Sequence, residues 1–252
     1  MRYSIRAFLQ EQGGGKLGEE EASLYRELTA RGYPITLFLA KKMHRRQLPL
    51  TRQSFVAGEM DIVVAALKQL EISIPQPNDY PPSLAKFLHR RTWTSSLGVI
   101  EAKLQQEVEI NPIFAKPANR RKRFTGRVFE SLADLGAVSG VSRKEELICS
   151  EAVNWKSEYR VYIIHCRIVG TYYYSGDRNI KINRSVVEDA VRCLDNAGEA
   201  IAGYSLDFGV LETGETALVE MNDGFALGNY GLDDKQYADL ILARWKEILA
   251  NT

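Results

Sequence analysis

Asp207, Glu220 and Asn222 are the residues whose types and spacing point most directly to chemistry. They fall within SLDFGVLETGETALVEMNDGFALGNYG, residues 205–231. Leu206, Phe208 and Val210 alternate with Asp207, Gly209 and Leu211; beyond Thr213-Gly214, Ala217, Val219 and Met221 alternate with Leu218, Glu220 and Asn222. Period-two alternation on both sides of a Thr-Gly pair predicts a β-hairpin. With Thr213-Gly214 as a two-residue loop, Glu212 faces Glu215 and Asp207 sits directly opposite Glu220; a four-residue loop gives the same register. Opposed residues have Cβ atoms roughly 4.5–5.5 Å apart, where like charges destabilise a sheet. Asn222 lies on the face of Glu220, one strand repeat along. Two carboxylates and an amide oxygen form a hard, oxygen-only donor set suited to Mg2+, and a bound cation would remove the repulsion. The plain alternative is a solvated face whose carboxylates point into water.

The elements that must position these groups come from a chain of ordinary globular composition, 45% hydrophobic and 26% charged over 252 residues. That length buries a substantial core, as one large domain or two to three modest ones. A net charge of +1 provides no global field toward nucleic acid or membrane. Cys149, Cys166 and Cys193 form no CxxC pair and fit reduced thiols. The scattered His44, His89 and His165 lack zinc-ligand spacing. No apolar run approaches the ~20 residues that span a bilayer, and MRYSIRAFL does not read as a signal peptide. The expectation is a cytoplasmic protein.

In chain order, residues 3–9 read as a strand, 12–15 as a glycine-rich connection, 19–31 as a helix ended by Gly32, and 35–40 as a buried strand. This βαβ pattern predicts an open α/β sheet. The triple glycine lacks both the Lys-Ser/Thr of a P-loop and a GxGxxG pattern. The basic run 41–46 reads as solvated, 58–70 as a helix, and the Pro-rich 74–84 as a domain boundary or rigid crossover. A basic helix is expected over 84–91, continuing irregularly or as a second helix over 92–104. Residues 110–117 form an apolar strand ending at Lys116. In the loop that follows, Arg120, Arg121, Lys122, Arg123 and Arg127 surround Thr125-Gly126. Such a loop suits a phosphate clamp, an RNA-backbone patch with Phe124 as stacking ring, or plain solvation. Strands are expected at 146–149, 157–164 and 167–174, with a bend at 150–155. Glu158 and Arg160 share a strand face; as a surface ion pair they would contribute ~0–1 kcal/mol. Helices at about 184–202 and 233–250 complete the pattern, the last burying Tyr237, Leu240, Ile241, Trp245 and Ile248.

Four landmarks in order resemble the ATP-grasp family. IFAKP resembles the strand with the phosphate-binding lysine, and RKRFTGRV stands where the family has its phosphate lid. ICSEAVNWKSEYRVYII resembles the hinge and the strand with the ribose-binding acid, and LDFGVLETGETALVEMN the metal-binding hairpin. The resemblance covers residues 111–231 and looks closest to the small clade named for one arginine and two lysines, for which Arg160, Lys116 and Lys181 are the candidates. Residues 1–80 resemble, less specifically, a pre-ATP-grasp domain.

The resemblance implies an α/β fold, in part α+β. Two α+β subdomains, 81–150 and 151–252, would grip ATP between antiparallel sheets after a small open α/β domain at 1–80. Lys116 would contact the α or β phosphate, and Lys122, Arg123, Thr125 and Gly126 would close over the β and γ phosphates. Adenine would lie at the hinge of Ile148, Cys149, Ser150, Glu151 and Val153, and Glu158 would hold the ribose. Asp207, Glu220 and Asn222 would hold one or two Mg2+. Lys181 and Arg160 would stabilise the transferring phosphoryl group or hold the acid substrate. The implied activity is an ATP-dependent carboxylate–amine ligase acting on small-molecule or peptide substrates. Two departures stand out: the lid is rich in Arg and Lys, and Tyr204 and Ser205 stand near where the family often has a substrate-binding arginine. The alternatives are a nucleotide-binding module without ligase activity, and an RNA-directed protein using the basic loop 120–127. The opposed acids also imply that, without Mg2+ and nucleotide, the hairpin is the strained part of its sheet.

Overall fold

Three sheets carry the chain. The computed structural model describes residues 5–106, 111–118 and 124–250. The first sheet holds β1 (Arg6–Glu11), β2 (Ile35–Leu39) and β3 (Ser54–Ala57), in the order β2-β1-β3 and all parallel. Parallel neighbours need crossovers, and α1 (Glu19–Ala30) supplies the first. Ala7, Phe8 and Leu9 are consecutive and buried, the signature of a central strand covered on both faces. The basic run forms a short helix, α2 (Ala40–His44), that buries Met43 and leaves Lys41 and Lys42 in solvent. α3 (Met60–Gln69) lies where a helix was expected. Gly13, Gly14 and Gly15 all take positive φ, and the Gly15 N–H donates to the Glu11 carboxylate at 2.6 Å. The turn thus binds the chain's own anion.

The second sheet is antiparallel: β4 (Thr92–Ser96), β5 (Ile113–Pro117), β6 (Arg127–Phe129) and β7 (Glu146–Glu151), in the order β4-β7-β5-β6. Here the structure departs from the sequence expectation. A 3-10 turn at Pro82–Phe87 replaces the basic helix, and Thr92–Ser96 is a strand, followed by α4 (Leu97–Gln106). Thr-Trp-Thr-Ser-Ser has no apolar alternation, but its β-branched and aromatic residues suit a pleated, half-buried surface.

The third sheet contains β8 (Trp155–Ile164), β9 (Arg167–Gly176), β10 (Gly203–Leu211) and β11 (Thr216–Asp223), ordered β11-β10-β8-β9. α5 (Arg184–Asn196) packs Val187, Ala190 and Leu194 against Val161, Leu206 and Phe208. It ends earlier than expected because Gly198, at φ +69°, turns the chain away. Parallel and antiparallel sheets around shared cores give the mixed α/β architecture expected. No described helix is long and apolar enough to cross a membrane.

α6 (Asp234–Ala250) joins the first sheet to the third. Its Trp245 is 1% exposed, meets Phe55 edge-on at 5.8 Å and donates its indole N–H to the Ser54 carbonyl at 2.8 Å. The same core holds Tyr162 and Ile164 of β8. We propose that residues 1–80 form a unit only together with α6. Trp245→Ala is expected to cost about 3–5 kcal/mol, read from urea unfolding, and to speed amide exchange in β1 and β3 before β10.

Candidate active site

The acidic hairpin reaches its register by two offsetting irregularities. Leu211 N–H donates to the Glu215 carbonyl and Gly214 N–H to the Leu211 carbonyl, both at 2.9 Å. The loop is therefore three residues, with Gly214 at φ +90°, and Glu212 does not face Glu215. This corrects the expected two- or four-residue loop. From the turn to Phe208↔Leu218 the strands are offset by one residue from the expected pairing. A β-bulge at Val219 then restores it, and Asp207 stands opposite Glu220 as expected. The bulge also re-phases β11. Leu218 and Met221, which a regular strand would put on opposite faces, both enter the core with Leu206 and Phe208.

The opposed acids are neutralised by cations from neighbouring strands. Arg160 of β8 pairs with Asp207 across the sheet and binds it through two parallel bonds, Nε to Oδ1 at 2.9 Å and Nη2 to Oδ2 at 2.7 Å. Asp207 is 2% exposed and Arg160 8%. Arg160 is thus a buried partner of Asp207 and not a surface partner of Glu158, whose carboxylate accepts from the Tyr174 hydroxyl at 3.0 Å. Burial pushes the Asp207 carboxyl up against the pull of Arg160. Glu220 is held by the Lys116 ammonium at 2.5 Å. Its burial would raise the carboxyl, but Lys116 outweighs that and holds it below the usual glutamate value. Lys116 also contacts Asp79 at 2.6 Å and stands 5.0 Å over the Tyr80 ring. The hairpin is therefore compensated without a metal, contrary to the expectation of a strained hairpin.

This arrangement tests the donor set. The Asn222 side-chain N–H donates to Asp207 Oδ2 at 3.3 Å and the same amide bonds Glu220, so the two carboxylates and the amide converge. The ammonium of Lys116 against Glu220 is a stand-in cation. Beyond their bonds to Arg160, Asp207 Oδ1 accepts from the Ser205 hydroxyl at 3.5 Å and Oδ2 from the Asn222 amide at 3.3 Å, so an ion would take the place of these two long, weak donors. With the Asn222 amide turned to present its oxygen, the three side chains fit a hard divalent ion.

Gly126 packs so close to β5 that a Cβ there would lie 2.6 Å from the Phe114 ring and 3.3 Å from Lys116 Cβ, so a larger residue would have to displace that ring beside the lysine. Thr125 and Gly126 line the same cleft as Lys116, while Lys122 and Arg123 lie outside the described residues. Ile148 pairs with Lys116 and Ser150 with Phe114, so both share the face of Lys116. Cys149 turns into the core, and burial pushes its thiol up to about 11, so it offers its backbone alone. Glu151 is fixed by Arg91 through N–H at 2.9 Å and Nε at 2.7 Å; Val153 follows β7 in a half-buried loop. Glu158 lies one strand repeat from Arg160 on its face. Lys181 is not brought to this cluster: it is exposed, with its ammonium 5.6 Å over the ring of Tyr159, on the opposite face from Arg160.

A cleft of about 670 Å³ opens over the hairpin, lined by Lys116, Thr125, Gly126, Arg160, Glu220 and Asn222 among others. Residues 76–79 and the loop of Gly228 and Tyr230 line it too. Several of these groups carried no local signal. Asp79 lies in the Pro-rich connection. Tyr230 stacks on Tyr174 at 5.3 Å and lies 4.6 Å beneath the Arg160 guanidinium. Arg244 of α6 also lines the cleft and clamps Asp223, just beyond Asn222, through two bonds of 2.8 Å; its third nitrogen holds Glu247 at 2.6 Å.

Two antiparallel sheets, a basic strand end facing an acidic hairpin and a cleft between them define an ATP-grasp architecture. The chain belongs to the ATP-grasp domain family, R2K clade family 2, whose model matches residues 87–240, more than half its length. No curated protein matches it by sequence. Among solved structures it is similar to the D-cycloserine synthetase DcsG, at 11% identity and TM-score 0.62, covering 96% of this chain and 100% of that one. It is similar to D-alanyl-alanine synthetase A from Vibrio cholerae O1 biovar eltor str. N16961, at 13% identity and TM-score 0.56, covering 99% and 100%. It also resembles the ATP-grasp ligase PsnB complexed with a minimal precursor, at 13% identity and TM-score 0.51, covering 96% and 99%. At these identities the likeness speaks for the fold.

Proposed function

We propose that the chain is an ATP- and Mg2+-dependent ligase that activates a carboxylate as an acyl phosphate for attack by an amine, giving an amide or peptide bond. The observation that carries this reading is the meeting of Lys116 and Arg160 with Asp207, Glu220 and Asn222 in one cleft. Phosphoryl transfer asks little covalent chemistry of a protein; it asks for placed cations and metal ligands. A substrate carboxylate oxygen would attack the γ-phosphorus and the bond to ADP would break. The amine nitrogen would then attack the acyl carbon, lose its proton and release phosphate. Bound Mg2+ would neutralise the phosphate oxygens, held by Asp207, Glu220 and Asn222.

In this reading Lys116 exchanges Glu220 and Asp79 for an α or β phosphate oxygen. Lys122, Arg123, Thr125 and Gly126 close over the β and γ phosphates. Adenine lies against Ile148, Ser150, the Cys149 backbone, Glu151 and Val153, and Glu158 holds the ribose. Arg160 spreads the transition-state charge. Lys181 can share that role only if the loop tied to Tyr159 moves. All three side-chain nitrogens of Arg244 are bonded to Asp223 and Glu247, which disfavours it as the missing carboxylate-binding arginine.

The test is a screen for ADP and phosphate release with Mg2+-ATP against amino acids and peptides, read by mass for a new amide. Peptides are included because PsnB is seen with a precursor. The expected result is acceptor-dependent ADP release, lowered at least about 100-fold in Glu220→Gln, the scale of losing one transition-state contact. Nucleotide binding without turnover on any acceptor pair would favour a binding module. Unchanged turnover in Glu220→Gln would sink the metal assignment.

A further inference from the structure

Arg90 stands outside every role assigned above, yet it holds the irregularity that puts Glu220 in the cleft. Its Nη1 donates to the Leu218 carbonyl at 2.7 Å and its Nη2 to the Val219 carbonyl at 2.8 Å. These are the carbonyls of the bulged residue and its neighbour, on the outer strand of the third sheet. Nη1 also bonds the Leu88 carbonyl at 3.0 Å, which ties the guanidinium to its own chain. The Trp155 and Tyr80 rings lie 5.4 and 5.7 Å from it. The preceding His89 is at φ +50°, a left-handed conformation uncommon outside glycine, so the backbone is bent to deliver this side chain. On the far side of the bulge the Met221 N–H donates to the Asp79 carbonyl at 2.9 Å.

The chemistry of the bulge gives this contact its meaning. An unpaired residue in a strand leaves backbone groups without ladder partners. A planar guanidinium bonds two successive carbonyls from two nitrogens in a fixed fork, whereas an ammonium has a single nitrogen to place between them. If the bulge relaxed with the turn register kept, β11 beyond Leu218 would slide by one residue, and Glu220 would fall on the core face with Leu218 and leave the cleft.

We propose that Arg90 is a positioning residue of the cation site: by holding the Val219 bulge it fixes Glu220 opposite Asp207. This rests on the reading of Glu220 as a Mg2+ ligand, and the experiment separates the two. Binding of a non-hydrolysable ATP analogue is measured by calorimetry at stepped Mg2+ concentrations for wild type, Arg90→Ala, Arg90→Lys and Glu220→Gln. Amide exchange over 216–223 is measured in parallel. Loss of a group that orients a metal ligand is expected to raise the Mg2+ half-saturation roughly 10–100-fold. Arg90→Lys keeps the charge and loses the fork, so it is expected to move in the same direction, with faster exchange confined to the bulge. It carries the test should Arg90→Ala fail to fold.

Arg90→Lys within twofold of wild type in both readouts, while Glu220→Gln shifts the Mg2+ requirement, would overturn the positioning role. A lowered melting temperature with unchanged Mg2+ dependence would do the same, because that is the mark of a merely structural contact. No shift in Glu220→Gln would remove the metal reading and this inference with it.

Discussion

Asp207→Ala is expected to lower the stability of the ligand-free protein by about 3–5 kcal/mol, the cost of stranding one member of a buried ion pair. The partner left behind is Arg160, 8% exposed, whose Nε and Nη2 both point at the lost carboxylate. A guanidinium stays charged in any reachable condition, so it cannot escape by losing its proton. The picture drawn from the sequence alone makes the opposite forecast. If Asp207 and Glu220 mainly repelled each other, removing one would stabilise the ligand-free hairpin. Urea unfolding without Mg2+ separates the two by sign. A double-mutant cycle with Arg160→Met sharpens the test. The double variant is expected to be more stable than Asp207→Ala, since two apolar side chains replace a stranded charge. A gain in stability for Asp207→Ala alone would restore the repulsion picture.

The reason the sequence misjudged that balance is specific. Glu220 and Asp207 were legible because alternation is local, but their counter-ions arrive across strands. Arg160 is 47 residues from Asp207 and Lys116 is 104 from Glu220. Arg160 was visible beside Glu158, yet spacing along one strand cannot say which residue of the next strand it meets. The opposition of the two acids was read correctly through a wrong loop. Leu218 and Val219 are both apolar, so the bulge at Val219 leaves no trace in the hydrophobic pattern, and it happens to offset the three-residue turn. β4 escaped notice because Thr-Trp-Thr-Ser-Ser lacks alternation. Asp79 and Arg90 escaped because nothing near them in sequence hints that the 75–90 segment runs along the edge of β11. Helices and apolar strands were readable because their periodicity is a property of a few consecutive residues. What was not readable is pairing at long range, and the candidate site is made of little else.

Lys116 is where that pairing has its largest functional consequence. Lys116→Met is expected to lower turnover by about 100-fold or more, as loss of a cation facing transferring phosphate does. It also carries a pH signature independent of any substrate. In the wild type, Glu220 is held below its ordinary value of 4.5 because Lys116 outweighs burial. A depressed carboxyl adds stability that is present above that ordinary value and is lost as pH falls through the lower folded value. Without the ammonium, burial pushes the carboxyl upward against only the smaller pulls of Arg160 and Asn222, so the sign reverses. Glu220 then disfavours the fold as pH rises through its ordinary value and beyond. The difference in urea midpoint between wild type and Lys116→Met is therefore expected to be small at pH 3 and to widen toward pH 7, with the wild type the more stable. A constant difference across that range would show that Lys116 contributes packing and no charge to Glu220. The stand-in cation would then be no guide to what the cleft holds when nucleotide arrives.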